Sequence, residues 1–388
     1  MSFTTRCHMQ LIKFLRKLKK RFIRYEPSVE VIISKEKLVS NLKEYQKQYP
    51  KLSFAPVLKS NAYGHGLVPV AKILEKENIA FFVVDSLYEA MVLRSEGIKS
   101  EVLIIGYVNS ENIRNAKLSG IVFTVISLEQ LQEIAKVKLP KLRIHLKIDT
   151  GMHRQGILLN QIEEAIKIIK TNTFIELKGI CSHFADADSS GEMFTKLQIQ
   201  QWEKAVNLFK NNFQTIKYYH LTNTAGIFYS HQAYCNVARL GIGLYGINTS
   251  SFVKLNLKPV LEIQSVISSI KVVPVGECVG YNATYKADKP IKVANVPVGF
   301  FEGVDIRLSS CGYFKVGGVD CPIVGRVSMN ITSIDITSLP SVKLGDKVTV
   351  ISSDSNDNNS VENIVRLTQT IPYEILVHIP QHLRRTVV

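Results

Sequence analysis

From Val29 onward, short apolar runs alternate with segments whose apolar residues recur at helical spacing. The apolar runs predict strands at 29–33, 54–58, 80–84, 102–105, 121–125, 142–148, 176–181 and 218–221. The intervening periodicity predicts helices at 35–48, 67–77, 86–96, 110–118, 127–136, 160–170 and 192–212. A regular strand–helix alternation of this length predicts an α/β fold, a (β/α)₈ TIM-type barrel. Chemistry in such a barrel sits at the C-terminal ends of the strands. Those ends carry Lys59, Asp149 to Arg154, Ser182-His183 and Thr222-Asn223-Thr224. After about residue 253 the pattern changes to two-residue alternation at 260–273, 291–298, 323–327 and 347–351, with few helical periods. This predicts a mostly-β C-terminal domain. The polar stretch Ser352–Ser360 reads as a solvated loop. The division is then a basic extension at 1–26, a barrel at 27–253 and a β domain at 254–388.

Composition changes this picture little. A chain of 388 residues suits two domains, and 46% hydrophobic with 21% charged residues is ordinary for a soluble globular protein. No apolar run reaches membrane-spanning length. Cys7, Cys181, Cys235, Cys278, Cys311 and Cys321 are scattered without a C-x-x-C pair, as expected of reduced thiols in a cytoplasmic protein. Charge is more informative. Residues 1–24 contribute +8 of the net +15, so the body is only mildly basic. That excludes a nucleic-acid reading and fits anionic small ligands. Residues 9–24 form a basic amphipathic stretch, read as an extension, with contact to an anionic membrane surface as the functional alternative.

Candidate chemistry centres on Lys59. It ends the apolar run 54–58 and is followed by Ser60-Asn61-Ala62-Tyr63-Gly64-His65-Gly66. A lysine at a buried strand end is desolvated, which suits its amine to Schiff-base formation and proton transfer. A lone strand-end lysine more often snorkels to water; the residues that follow tip the balance. Gly241 to Gly246 also fits a dinucleotide-binding G-x-G-x-x-G pattern, but it lies after all the strand–helix units instead of opening an early one. His183 with Asp186 and Asp188 suggests metal ligands, yet no second histidine cluster accompanies them, so no metal is expected.

The stretch Val57 to Gly66 resembles the cofactor-lysine motif of alanine racemases, enzymes that use pyridoxal 5'-phosphate (PLP). Further segments carry the same resemblance: Asp149-Thr150-Gly151-Met152-His153-Arg154-Gln155-Gly156, Ser182-His183-Phe184-Ala185, Asn223-Thr224, Arg239-Leu240-Gly241-Ile242, Gly325-Arg326-Val327-Ser328-Met329-Asn330 and Ile371-Pro372-Tyr373-Glu374. It implies that Lys59 carries the cofactor and is the base on one face of the substrate. Tyr63, Asn223, Thr224, Gly241, Ile242 and Tyr373 would hold the phosphate. Arg239 would face the pyridine nitrogen with His183 beside it. Arg154 would contact cofactor and substrate, and the backbone of Met329 the substrate carboxylate. Lys147 matches a lysine that is carbamylated in many relatives. Racemisation needs a second proton-exchange group on the opposite face, which the resemblance assigns to a tyrosine from the partner in a head-to-tail homodimer. The stretch matched to it, Val298 to Leu308, has Phe300 there, with Tyr281 as a substitute phenol. The expected function is interconversion of L- and D-alanine for cell-wall precursors, impaired by Phe300. The alternative is a PLP-binding protein of the same fold that is a one-base enzyme on another amino acid or is non-catalytic.

Overall fold

The computed structural model describes residues 25–136, 141–188, 192–250, 252 and 254–388. The basic stretch 9–24 and Cys7 lie outside the described residues.

The chain enters through β1 (Glu30–Ile33) and α1 (Lys35–Gln48). Eight parallel strands follow: β2 (Ser53–Pro56), β3 (Phe82–Val84), β4 (Val102–Ile104), β5 (Ile121–Val125), β6 (Leu142–Lys147), β7 (Ile175–Cys181), β8 (Tyr218–His220) and β9 (Val237–Leu240). The run from β3 to β8 forms one parallel sheet in chain order, and β2 pairs in parallel with β9. A bridge from Val57 to Val83 joins β2 to β3. The N–H groups of Asn236 and Arg239 donate to the carbonyls of Tyr219 (3.0 Å) and Thr222 (3.1 Å), joining β8 to β9 and closing the barrel. Outside it run α2 (Leu67–Leu74), α3 (Leu87–Ser95), α4 (Ser110–Asn115), α5 (Leu128–Lys136), α6 (Ile162–Thr171) and α7 (Glu192–Asn212). Every residue of β3, β4, β5, β8 and β9 is buried, as strands covered on both faces require.

The first predicted strand is reassigned. β1 is no barrel strand: it pairs antiparallel with β10 (Leu261–Val266) and parallel with β19 (Arg384–Val387). Val31 and Ile33 are buried while Glu30 and Ile32 are half-exposed, the alternation of a sheet with one covered face. The eighth barrel strand is β9, which sequence periodicity passed over. Lys59 therefore follows the first barrel strand, not the second.

The remaining sheet elements are β11 (Ser269–Val273), β12 (Cys278–Val279), β13 (Tyr285–Lys286), β14 (Ile291–Val296), β15 (Tyr313–Val316), β16 (Val319–Pro322), β17 (Thr332–Asp335) and β18 (Lys347–Ile351). The main sheet has the order β16-β15-β18-β10-β1-β19, and a second has the order β11-β14-β17. The predicted strand at 323–327 is reduced to a single bridge from Ile323 to Ile334. The hairpin β15–β16 replaces it, turning on Gly317-Gly318 at φ 58° and 84°, the conformation a two-residue hairpin loop needs. Two helices also belong here, α8 (Val361–Thr368) and α9 (Pro372–Val377). The polar stretch before α8 is only partly solvated. Asn359 is buried and donates from Nδ2 to the Thr349 carbonyl (2.8 Å), and Ser360 caps α8 by accepting the Asn363 N–H (3.2 Å).

Candidate active site

At the C-terminal ends of the barrel strands lies a cavity of about 400 Å³. Strand pairing holds β2 up to its lysine: the N–H groups of Val57 and Leu58 donate to the carbonyls of Leu240 (2.8 Å) and Val83 (2.7 Å). The next residues then turn the wrong way for L-amino acids. Ser60, Asn61, Ala62 and Tyr63 all have φ between 52° and 55°, a left-handed turn costing about 1–2 kcal/mol per residue. Polar contacts from three directions hold it. Glu89 in α3 accepts the Ser60 N–H (2.7 Å) and the Asp85 N–H (2.8 Å). His65 directs Nδ1 at the carbonyls of Tyr63 (2.9 Å) and Ala62 (3.1 Å), which fixes the proton on that nitrogen. Arg385 in β19 donates to the Gly64 carbonyl from Nη2 (2.8 Å) and Nε (3.1 Å). Burial pushes the His65 pKa down to about 4, and its ring stacks on Tyr245 at 4.3 Å.

The turn brings the Tyr63 ring back over Gly241. A Cβ at position 241 would stand 2.7 Å from the Tyr63 hydroxyl, so glycine is needed there for space. The Gly241 N–H donates to Thr224 Oγ1 (3.1 Å), so that amide is committed within the chain while the threonine hydroxyl keeps its own proton to donate. Ile242 opens a short 3-10 turn (Ile242–Tyr245), whose first N–H groups have no acceptor inside the turn. Asn223 lines the cavity but spends its Oδ1 on the Gly226 N–H (2.8 Å). Tyr373 packs against Tyr63 with ring centroids 5.8 Å apart.

Arg239 is buried in β9, two residues before Gly241. Its Nη1 donates to His220 Nδ1 (2.7 Å) and the His220 carbonyl (2.6 Å). Its Nη2 donates to the Ser182 carbonyl (2.8 Å), the Leu221 carbonyl (3.1 Å) and His183 Nδ1 (3.1 Å). Burial first, and the guanidinium second, hold His183 and His220 neutral, with pKa values well below the usual histidine range. Lys147 ends β6 and donates to Gln155 Oε1 (3.0 Å); burial lowers its pKa to about 8. Arg154 is carried on the loop after β6, which Asp149 braces by accepting the N–H groups of Gly151 (2.9 Å) and His153 (3.1 Å). A Cβ at Gly156 would meet the Asp149 N at 2.5 Å, and its φ is 130°, so this loop can close only on glycine.

Lys59, Lys147, Arg154 and Arg239 thus converge on one cavity whose lining contains no Asp or Glu. Such a cleft concentrates positive potential and suits a ligand with a phosphate and a carboxylate. Tyr63, His183, Asn223, Thr224, Gly241 and Tyr373 share it. Met329, 58% exposed, does not: it lies on the β-domain loops with Phe300 and Tyr281. The N–H groups of Phe300 and Phe301 donate to the carbonyls of Ser328 (3.0 Å) and Met329 (2.9 Å). Tyr281 is 68% exposed and sits between Gly280 at φ 80° and Asn282 at φ 61°, a strained loop packed on Gly325 and Arg326. Sequence reading missed His220 and Cys181 in the cavity wall, while Ser182, which it placed at a strand end, does line it. The signal for His220 was present, as a polar residue at the end of an apolar strand. Among the described residues no group of His, Cys, Asp and Glu could hold a metal ion, and no helix is long and apolar enough to cross a membrane.

Two sequence-family models match the chain, "Alanine racemase, N-terminal domain" over residues 33–249 and "Alanine racemase, C-terminal domain" over residues 260–387. An alanine racemase of Methanococcus maripaludis is 35% identical over 354 residues, covering 89% of this chain and 95% of that protein. One of Leptospira interrogans is 33% identical, covering 92% and 95%. Among solved structures, an alanine racemase of Clostridium difficile 630 superposes with a TM-score of 0.87 at 30% identity, over 94% of this chain and 97% of that one. The alanine racemase of Bacillus anthracis with bound L-Ala-P gives 0.86 at 28% identity, over 94% and 96%.

Proposed function

The chain belongs to the alanine racemase family, and we propose that it interconverts L- and D-alanine in the cytoplasm with PLP held in the barrel cavity. The observation that carries this reading is Lys59, half-buried in the wall of a cleft that among the described residues has four cationic side chains and no carboxylate. The residues present fit the cofactor: Tyr63, Thr224, the Ile242 amide and Tyr373 would hold its phosphate, and Arg239 its ring nitrogen. When bound, PLP supplies a carbonyl for the lysine amine and an electron sink for the substrate's α-carbon. Arg239 donates and cannot accept a proton, so it holds a ring nitrogen without becoming an acid toward it. Arg154 orients the substrate carboxylate, joined by the amide of Met329 of the partner subunit, since this chain's own Met329 lies outside the cavity.

Lys59 takes and returns the proton on one face. The other face needs a second group, and Phe300 has none to offer. Tyr281 has a phenol, stands in solvent and is held by backbone strain, which clusters where a side chain must be aimed. We assign it the second face, delivered from the β domain of a second subunit in a head-to-tail homodimer. On this assignment Phe300 carries no proton and costs no turnover. The test is enantiomer conversion by the purified PLP-loaded protein, with borohydride reduction and peptide mapping to locate the cofactor. Conversion with label on Lys59 is expected. No conversion at high protein concentration overturns the reading. Tyr281→Phe should lose on the order of 10²–10⁴ in rate and Phe300→Tyr should change it little; the reverse pattern returns the role to position 300.

A further inference from the structure

Among the described residues the buried Arg239 has no carboxylate partner, and what replaces the carboxylate is a row of histidines. The guanidinium can only donate. Its 2.7 Å bond to His220 Nδ1 therefore makes that nitrogen an acceptor and puts the His220 proton on Nε2. His220 Nε2 in turn lies 2.7 Å from His145 Nδ1, so that His145 nitrogen accepts and the His145 proton is also on its Nε2. There the row stops. His145 Nε2 is buried without a partner, beside Gly179, where a Cβ would stand 3.0 Å away. His145 is wholly buried among Phe81, Tyr218 and His220 and does not line the cavity.

Packing alone does not account for an imidazole here. A buried donor left unpaired costs about as much as a lost hydrogen bond, and an apolar side chain of similar size would avoid that cost. What the imidazole adds is the acceptor at Nδ1. Without it the His220 Nε2–H would face apolar walls unpaired, and moving that proton to Nδ1 is no escape, because there it would meet the Arg239 guanidinium donor against donor.

We infer that His145 is a positioning residue, which accepts the His220 Nε2–H, fixes the plane of that ring and so holds the Arg239 guanidinium in place at the cavity. The placement of three side chains on β6, β8 and β9 carries this inference. Its consequence for the cofactor rests on the reading that Arg239 faces the ring nitrogen of PLP. Burial, and the Arg239 charge after it, lowers the His145 pKa to about 3, so the row stays neutral throughout the working pH range.

The test is nitrogen NMR of the imidazoles in the cofactor-free full chain, where neutral Nδ1–H and Nε2–H forms are distinguishable. In the native protein His220 and His145 should both be Nε2–H; a predominant Nδ1–H form at either overturns the inference without any variant. In His145→Leu the His220 Nε2–H should lose its hydrogen-bonded chemical shift, whereas in His145→Asn, whose Oδ1 stands where Nδ1 stood, that shift should stay near native. An unchanged His220 in His145→Leu also overturns it. If His145→Leu does not fold, the native spectrum and His145→Asn still decide. PLP retention on dialysis, read by absorbance, should fall roughly tenfold in His145→Leu and recover in His145→Asn. If the native protein takes up no PLP, the proposed function fails while the tautomers still decide the row.

Discussion

Four histidines set the acid side of this protein's stability. His65, His145, His183 and His220 are all held neutral, chiefly by burial, with pKa values of about 4 for His65, about 3 for His145 and well below 6.5 for the other two. In the unfolded chain each titrates near 6.5. Their neutral forms therefore favour the fold fully above that pH, and the advantage is lost as pH falls through 6.5 toward the folded values. Each unprotonated imidazole contributes a slope of up to roughly 1.4 kcal/mol per pH unit in that window. The urea midpoint should thus drop steeply between pH 6.5 and 4.5, and His145→Asn should shallow the slope; a flat profile would contradict burial of the neutral forms. At this scale sequence was a partial guide. Lys59 could be singled out because it ends an apolar run, and Arg239 through the family resemblance of Arg239-Leu240-Gly241-Ile242. His145 could not, since in Leu142 to Lys147 it is one of three polar residues alternating with Leu and Ile, and its partner His220 lies on a different strand.

Among the elements, the left-handed turn after Lys59 is the one that no propensity foretells. Ser60, Asn61, Ala62 and Tyr63 include no glycine, so nothing local favours it. It exists because Glu89, far along the chain, accepts its first N–H while also closing the cap of α3 with Ser86. Glu89→Ala should leave the Ser60 and Asp85 amides without their acceptor and cost about 1–3 kcal/mol. The loss should appear in the urea midpoint together with faster proteolysis near residue 60. Glu89→Gln should recover part of it, because its amide oxygen still accepts. The misassigned strand teaches the same lesson. Val29 to Ile33 is as apolar as a barrel strand, and only Glu30 hints that one face is open. The short β9 was missed because a buried arginine interrupts it. Periodicity registers apolar runs and is blind to the partner that will cover them.

The whole molecule is tied together through Arg385. It sits in β19, on the edge of the main sheet, yet its guanidinium donates to Gly64 in the lysine turn and to the carbonyls of Pro380 (2.8 Å) and Leu383 (2.7 Å). Burial lowers its pKa to about 10, still leaving it charged at neutral pH. Arg385→Ala should cost about 2–3 kcal/mol through these unpaired carbonyls and loosen the turn, read as a lower urea midpoint and faster PLP loss. Arg385→Lys should rescue only part, for want of the planar fork. A rate of PLP loss that stays native in Arg385→Ala would separate sheet from turn. The barrel plus β domain was legible from the change of period near residue 253; the exchange of β1 into the far sheet was not.

That exchange has a bearing on biosynthesis. β1 leaves the ribosome early and β19 among the last residues of the described chain, and the two lie side by side from Glu30 and Arg384 to Ile33 and Val387. Until synthesis reaches β19, one edge of β1 is an open template for any passing strand. A nascent chain of this kind has reason to need a chaperone's cover, and slowed translation before residue 384 should lengthen the exposure and lower the soluble yield of recombinant protein.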